Sequence, residues 1–420
     1  MINLVDKYNS PGNLLLISSY PEKDSRYSKK TCAIGSFTKN LVENMKEQKI
    51  IILTTQLTKK AQIYKENNNL IIRFFKRNSI FSFLDLIYYL IKFNRLKKVL
   101  VQFEFASFGK TLTSGLFVFL PLINKIIGKE TYFVFHQVIT NTFHIEEYLG
   151  WRRNDIRNFL FTPAIRFFFL FISFFSKKII VLEEEFKQRL IKIGVKNNKI
   201  KVIPHGVDNQ LKAISKNLAR KTLHLPLNKK IILYFGYLTW YKGADIFLRI
   251  AKSDKNKNNY YVIAGGPSFT QKQEKHYQNY LKQFSSLPKN CFISGFVPED
   301  KIPLYYNAAD IVLLPYRVMI SSSGPLSLAF SFNKPILLSN SLKNYLKSYD
   351  FMLALKSSNL KVDEIFFSLK KIQQLMNLKI SKNHLKKLIK FSSMMKKHRK
   401  FSVISNIYLS LLNKSGVFSG

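Results

Sequence analysis

The sequence predicts an α/β protein with two successive sets of parallel strands and connecting helices. Three observations carry that expectation. Short apolar runs recur at residues 14–17, 50–53, 70–74, 99–103, 132–135, 179–182 and 200–203, and again at 231–235, 261–264, 291–294, 311–314 and 336–338. Runs of this kind suit strands buried on both faces. Helical stretches intervene, as at 83–93 and 244–252, and alternating strands and helices argue for parallel sheets. Finally, residues 211–230 are polar and loosely patterned, which places a domain boundary just ahead of them; 420 residues suffice for more than one core.

Charge narrows the partners. The chain carries 67 Lys and Arg against 25 Asp and Glu, a net charge of +42 spread along its length. Such a field favours phosphates, an acidic membrane surface or nucleic acid. No RRM, KH, helix-turn-helix or zinc pattern accompanies it, which argues against nucleic acid. Cys32 and Cys291 have no metal-binding or redox spacing and predict a reducing compartment without a disulfide framework. Polar residues fill Asn3 to Asn13 ahead of the first apolar run, so no secretory leader is expected. Residues 152–178 hold a Phe-rich run shorter than the ~20 residues a membrane span needs. Arg152, Arg153, Arg157, Arg166, Lys177 and Lys178 flank it. The pattern fits a helix at an anionic membrane surface and a core helix between layers alike.

The chain in order offers several places where chemistry could sit. The strand at 14–17 runs into Ser18-Ser19-Tyr20-Pro21, and Gly35 lies in the approach to a helix that continues through Asn44. This is a strand, glycine-containing loop and helix, without a GxGxxG fingerprint. Glu104 ends the strand at 99–103 and His136 ends that at 132–135. Ligands of open α/β sheets gather beyond the carboxyl ends of strands. Each residue therefore suits a ligand site, and each equally suits a structural role, as a helix cap or ion pair for Glu104 and a satisfied histidine for His136. Residues 236–243, Gly-Tyr-Leu-Thr-Trp-Tyr-Lys-Gly, join a strand to a helix and put Lys242 where a phosphate would lie. After the run at 311–314, Ser321-Ser322-Ser323-Gly324 leads to Pro325 at a helix start. Free N–H groups and the helix dipole favour an anion there, and an ordinary capped helix would read the same way.

Together these pieces form an ordered set: His136, PHGVD at 204–208, FGYLTWYKG at 235–243, AGG at 264–266, NAADIVLLPY at 307–316, the Ser/Gly loop, and Asn333-Lys334-Pro335. The set resembles the family 4 glycosyltransferases, which have the GT-B architecture of two facing Rossmann-like domains with parallel sheets. The resemblance implies an acceptor-side domain over 1–205, a nucleotide-sugar-binding domain over 206–395, and a C-terminal helical segment over 396–420 that crosses back. It implies donor contacts from Gly236, Tyr237, Lys242, Ser322, Ser323 and Gly324, with Gly35 across the cleft. It places His136 beside the transferred sugar, with Glu104 on the acceptor side, and gives catalytic roles to His136 and Lys242. Such enzymes are typically retaining and need no metal or cofactor beyond the nucleotide-sugar donor, which agrees with the lack of a DxD pair. The chain departs from the family at Ile320 and Leu328, where paired glutamates usually stand, although some members carry a Ser-Gly version of this loop. Tyr237 replaces a common basic residue, and Ala33 a glycine often found in the bacterial branch of the family that residues 32–38, 101–105 and 108–109 resemble. The implied function is hexosyl transfer to a polysaccharide or lipid-linked acceptor at the cytoplasmic face of the inner membrane. The alternative is a non-catalytic relative that binds a sugar nucleotide or a partner transferase.

Overall fold

The structure is a computed structural model that describes residues 2–26, 33–105, 107–109, 111–208, 211, 214–268, 271–371 and 381–413. Cys32 lies outside the described residues. The chain divides into two compact units. One comprises Met1–Thr142, Ile156–Gly206 and Phe401–Gly420, the other Phe143–Asp155 and Val207–Lys400.

The first unit is built on an eight-stranded sheet. Its strands are β1 (Leu14–Ile17), β2 (Ile50–Thr55), β3 (Gln62–Glu66), β4 (Asn69–Phe75), β5 (Lys98–Phe103), β6 (Glu130–Phe135), β7 (Lys178–Val181) and β8 (Ile200–Val202). They lie in the order β3-β4-β2-β1-β5-β6-β7-β8. All neighbours are parallel except β3, which pairs antiparallel with β4 through a turn at left-handed Asn67. The sequence pattern missed β3 because this edge strand, Gln-Ile-Tyr-Lys-Glu, is largely solvated and carries no apolar run. The Arg157–Phe175 helix covers one face, seating Phe168 on Phe103 at 5.4 Å and Phe169 on Phe135 at 4.8 Å between ring centres. Its inner side is thus a core helix. At 19 residues it is also long and apolar enough to cross a membrane, by length and composition.

The last helix, Phe401–Asn413, belongs to this unit. Phe401, Ile404, Tyr408 and Leu412 join Phe37, Leu41 and Met45 in one buried cluster. Ser405 Oγ donates to Asn44 O at 3.2 Å. The division differs from the sequence-based one in three places, the smallest being Gly206, which stays with the first unit. Residues 396–400 stay with the second unit, where Val207 N donates to Arg399 O at 2.6 Å and Arg399 pairs with Asp350. Phe143–Asp155 also groups with the second unit, although it lies far from the rest of that unit in sequence.

The second unit holds β9 (Lys230–Phe235), β10 (Asn259–Ala264), β11 (Cys291–Ile293), β12 (Ile311–Leu314), β13 (Ile336–Ser339) and β14 (Phe366–Phe367). The order is β11-β10-β9-β12-β13-β14, all neighbours parallel. This is the doubly wound arrangement, and the order reverses between β9 and β12. Asp310 pins the entry to that pair of strands. Its carboxylate accepts from Ile231 N at 2.7 Å and Arg220 Nη2 at 2.6 Å, and Arg220 Nε donates to Ala308 O at 3.0 Å. Arg220 comes from the stretch expected to be a loose linker. That stretch instead contains the Lys216–Thr222 helix, capped by Ser215 and tied down by the buried Arg220. A buried arginine with carbonyl and carboxylate partners leaves no apolar signature to read.

Candidate functional site

The reversal of strand order opens a crevice beyond the carboxyl ends of β9 and β12, and the loops there are held against one another by backbone contacts. Gly236 N donates to Ala264 O at 3.0 Å and Leu238 N to Gly266 O at 3.0 Å, which fixes the loop after β9 on the loop after β10. At the other end of the loop, Gly243 adopts φ 71°, and a Cβ there would collide with the Pro315 carbonyl. Only glycine permits both the left-handed turn and this close approach. Arg317 completes the frame. Its N–H donates to Tyr241 O at 2.8 Å, its Nη1 to Trp240 O at 2.7 Å and to Asp245 Oδ1 at 2.7 Å, while Nη2 meets Asp245 Oδ2. Burial works against the Arg317 charge, and the hydrogen bonds and attraction to Asp245 outweigh it, so the Arg317 pKa lies above its ordinary value.

This frame positions Lys242. Its ammonium lies 5.9 Å from the Tyr237 ring centre and 5.7 Å from that of Tyr241, a cation flanked by two aromatic faces. A Cβ placed on Gly236, whose φ is 124°, would come within 3.3 Å of both Lys242 Nζ and Pro325 Cγ. The glycine thus leaves room for the ammonium beside the start of the Gly324–Ser331 helix. Gly236, Tyr237, Lys242 and Gly324, picked out separately in the sequence, are brought to one place.

Ser323 takes the capping role that the sequence left open beside donor contact. It is the helix N-cap: its Oγ accepts from Leu326 N at 3.2 Å and shares a 2.8 Å hydrogen bond with Tyr316 Oη, and only 3% of the residue is exposed. With the hydroxyl so engaged and Pro325 lacking an N–H, the Gly324 N–H is the first-turn donor left for an anion among the described residues. Ser322 is half-buried just before the cap. Ile320 and Leu328, at the positions of the family's glutamates, are both buried. The lining at those two places is apolar.

In the first unit, parallel pairing of Phe103 with Phe135 sets Glu104 opposite His136 at the carboxyl edge of β5 and β6. His136 N donates to Phe103 O at 3.1 Å. The imidazole is 6% exposed and packs edge-on against Phe37 at 4.8 Å. Its Nε2 bonds Gln102 Oε1 at 2.7 Å. This bond fixes the ring plane of His136, with Gln102 as its polar partner. Burial, and secondly the His205 imidazole, hold its pKa well below the ordinary value, so His136 is neutral at pH 7. Glu104 is half-buried. Gly35, expected in a loop, is buried in the first turn of the Ala33–Asn44 helix.

Two positioning arginines escaped the sequence reading. Arg317 directly follows the NAADIVLLPY motif, and that adjacency was the available signal. Arg73, on β4, donates to Tyr20 O at 3.0 Å, Thr55 O at 3.3 Å and Pro21 O, and so fixes the loop after β1. Nothing in its local sequence marks that role. Among the described residues, no group of three or more His, Cys, Asp or Glu is placed to hold a metal ion.

Residues 215–347, which contain the whole β9–β12 site, match the family model of group 1 glycosyl transferases. Among curated proteins, a D-inositol 3-phosphate glycosyltransferase of Corynebacterium aurimucosum is 30% identical over 101 residues, 23% of this chain and 24% of that protein. An alpha-galactosylglucosyldiacylglycerol synthase of Streptococcus pneumoniae is 28% identical over 149 residues, 34% of this chain and 39% of that protein. The matches thus span between about a quarter and two fifths of these relatives' lengths. The likeness in shape extends much further. Alr3699/HepE of Anabaena, solved with UDP and glucose, superposes with TM-score 0.65 over 96% of this chain and 99% of that one, at 13% identity. At that identity the likeness shows the fold, and the fold is GT-B, as the ordered motifs implied.

Proposed function

We infer, taking the group 1 glycosyl transferase match over residues 215–347 as premise, that the chain is a retaining hexosyltransferase. It would use a nucleoside-diphosphate sugar and a polysaccharide or lipid-linked acceptor. One observation carries the reading: the Lys242 ammonium lies beside Pro325, in the first turn of the Gly324–Ser331 helix, where the strand order reverses. In the reaction, an acceptor hydroxyl oxygen bonds to the anomeric carbon as the bond from that carbon to the diphosphate breaks. The electron pair leaves with the nucleoside diphosphate, and the hydroxyl proton is lost to the leaving phosphate. Lys242 and the helix start meet the charge that develops on the diphosphate, and groups preset for that charge lower the barrier. The chemistry so written needs no bound metal. Neutral His136 would share a hydrogen bond with a sugar hydroxyl, and Glu104 beside it would orient the acceptor. The relatives whose names specify glycosylation of an inositol phosphate and of a glycolipid support a small polar or lipid-linked acceptor. The outer face of the Arg157–Phe175 helix, with Phe159, Leu160 and Phe174 exposed in a chain of net charge +42, supports attachment at an anionic, cytoplasmic membrane face.

A second reading, a non-catalytic binder of sugar nucleotides, draws on buried, apolar Ile320 and Leu328. Those positions bear on donor hydroxyls more than on the leaving phosphate, which the retained Lys242 serves. Calorimetric titration with UDP- and GDP-sugars, beside single-stranded and duplex DNA, tests the common ground of both readings. Saturable binding of a nucleotide sugar, lost in Lys242→Ala, is expected. Tighter binding of either DNA than of every nucleotide sugar contradicts both.

A further inference from the structure

The chain has two tryptophans in 420 residues, and both line one cavity. Trp151 and Trp240, together with Tyr148 and Tyr280, bound a hollow of about 540 Å³ that lies wholly within the second unit. The Phe143–Asp155 segment forms one wall and the Lys275–Leu281 helix another. That segment is built to fit. Gly150, left-handed at φ 71°, seats against the His276 imidazole, where any Cβ would strike the ring. The Tyr148 ring meets Tyr241 edge-on at 5.3 Å, and Gln271 Nε2 donates to Tyr148 O at 3.3 Å. The wall is thereby joined to the loop that carries Lys242.

The lining has a chemistry unlike the rest of the molecule. Among the described residues it contains no lysine or arginine, in a chain that has 67 of them. Its polar groups include the Glu147 carboxylate, the side-chain amides of Gln271, Asn279 and Gln283, and the His276 imidazole, whose Nε2 is buried with no hydrogen-bond partner among the described residues. A phosphate would meet Glu147, and the Arg317 guanidinium, 5.2 Å from the Trp240 ring centre, is already committed to Asp245 and the Trp240 carbonyl. A purely apolar ligand would bury amides and an imidazole without partners, which is costly. A neutral ring with an apolar C–H face and a rim of hydroxyls meets both conditions, the face on the aromatic rings and the hydroxyls on amide, carboxylate and imidazole. The volume falls among those of small-molecule sites, ~300–1,000 Å³.

We propose that this cavity binds a neutral pyranose residue of the acceptor glycan. That it is the acceptor's residue rests on reading the chain as a hexosyltransferase; the carbohydrate chemistry of the cavity stands on its lining. Trp240 and Tyr241 lead from the cavity to Lys242, so a saccharide bound there lies along the loop that faces the donor diphosphate.

Because both tryptophans line the cavity, intrinsic fluorescence of the full chain reads it directly. The titrants are neutral trisaccharides (maltotriose, cellotriose, tri-N-acetylchitotriose and a galactotriose), with UDP and inorganic diphosphate as the opposing arm. At least one trisaccharide should shift the emission saturably at millimolar concentration or below. Trp151→Ala and Glu147→Gln should each weaken that binding about tenfold or more, with Trp240 as the remaining reporter in the first. Trp151→Phe, which keeps a ring face, should retain most of it, and circular dichroism identifies any variant that fails to fold. Lys242→Ala should lose transfer and keep the trisaccharide response, so failure of the catalytic reading is told apart from failure of this one. The proposal is overturned if no trisaccharide gives a saturable shift, or if a response to UDP or diphosphate depends on Trp151.

Discussion

Arg317 and Asp245 form a two-pronged ion pair, Nη1 on Oδ1 at 2.7 Å and Nη2 on Oδ2, which ties the loop after β12 to the helix after β9. Both partners are largely buried, and the same guanidinium holds Trp240 O. Arg317→Ala should therefore cost about 3 kcal/mol of stability, the order expected when one partner of a buried pair is removed. Arg317→Lys keeps the charge and loses the fork, so it should recover only part of that. Thermal midpoints of the two variants check the ranking. Midpoints equal to that of the parent would remove Arg317 from its positioning role.

Ser323 offers a sharper contrast. Its hydroxyl caps the Gly324–Ser331 helix through Leu326 N and bonds Tyr316 Oη. Ser323→Ala should lower stability by about 1 kcal/mol, a typical cap loss. Donor affinity should stay within about threefold of the parent, because the donor-facing group proposed there is the Gly324 N–H. A larger fall in affinity at unchanged stability would show the hydroxyl itself in contact with the donor.

The strands at 14–17 and 311–314 were legible to the residue, and that at 231–235 to within one, because parallel strands buried on both faces are continuous apolar runs. The loop at 236–243 was legible as a strand-to-helix connection carrying Lys242, since lysine, glycine and a following helix announce themselves in sequence order. The role of Ser323 was not. A serine before a helix reads the same whether it caps the helix or binds a ligand, and only Leu326 N and Tyr316 Oη decide it. The grouping of Phe143–Asp155 with the second unit was hidden for another reason: it depends on contacts such as Gly150 with His276, which are far apart in sequence. The same holds for Arg73 and Arg220, whose partners are mostly carbonyls that any sequence supplies.

His136 predicts a pH dependence. Its folded-state pKa lies below the unfolded value of about 6.5 because burial, and then His205, disfavour the cation. As pH falls below about 6.5, the unfolded chain takes up a proton that the folded chain does not. This residue should therefore cost stability by up to about 1.4 kcal/mol per pH unit, until the folded pKa is reached. Above that window it contributes no slope. Urea unfolding of the parent at pH 7.5 and 5.5, beside His136→Asn, isolates the effect. The variant should show a smaller loss between the two pH values, and an equal loss would contradict a buried, neutral His136.

Membrane attachment makes its own prediction. Phe159 is 63%, Leu160 71% and Phe174 73% exposed on the outer face of one helix. The chain should sediment with phosphatidylglycerol vesicles at low salt and much less at high salt, since ~10 Å of screening at 0.1 M already weakens the attraction. Phe159→Ser with Phe174→Ser should reduce what remains by removing about 1.5–3 kcal/mol of burial for each fully inserted side chain. Equal sedimentation with neutral and anionic vesicles, unaffected by the double variant, would contradict the surface assignment.

The central claim is sugar transfer driven by a site centred on Lys242. The measurement is a transfer assay with the purified full chain, a panel of UDP-, GDP- and ADP-sugars, and native membranes as acceptor. It follows released nucleoside diphosphate and incorporated sugar together. The account predicts stoichiometric release and incorporation for at least one donor. It also predicts a loss of roughly a hundredfold or more in turnover for Lys242→Ala, the order of about 3 kcal/mol for one leaving-group contact, with an unchanged thermal midpoint. Donor binding without transfer across the whole panel, or full turnover in Lys242→Ala, would contradict it.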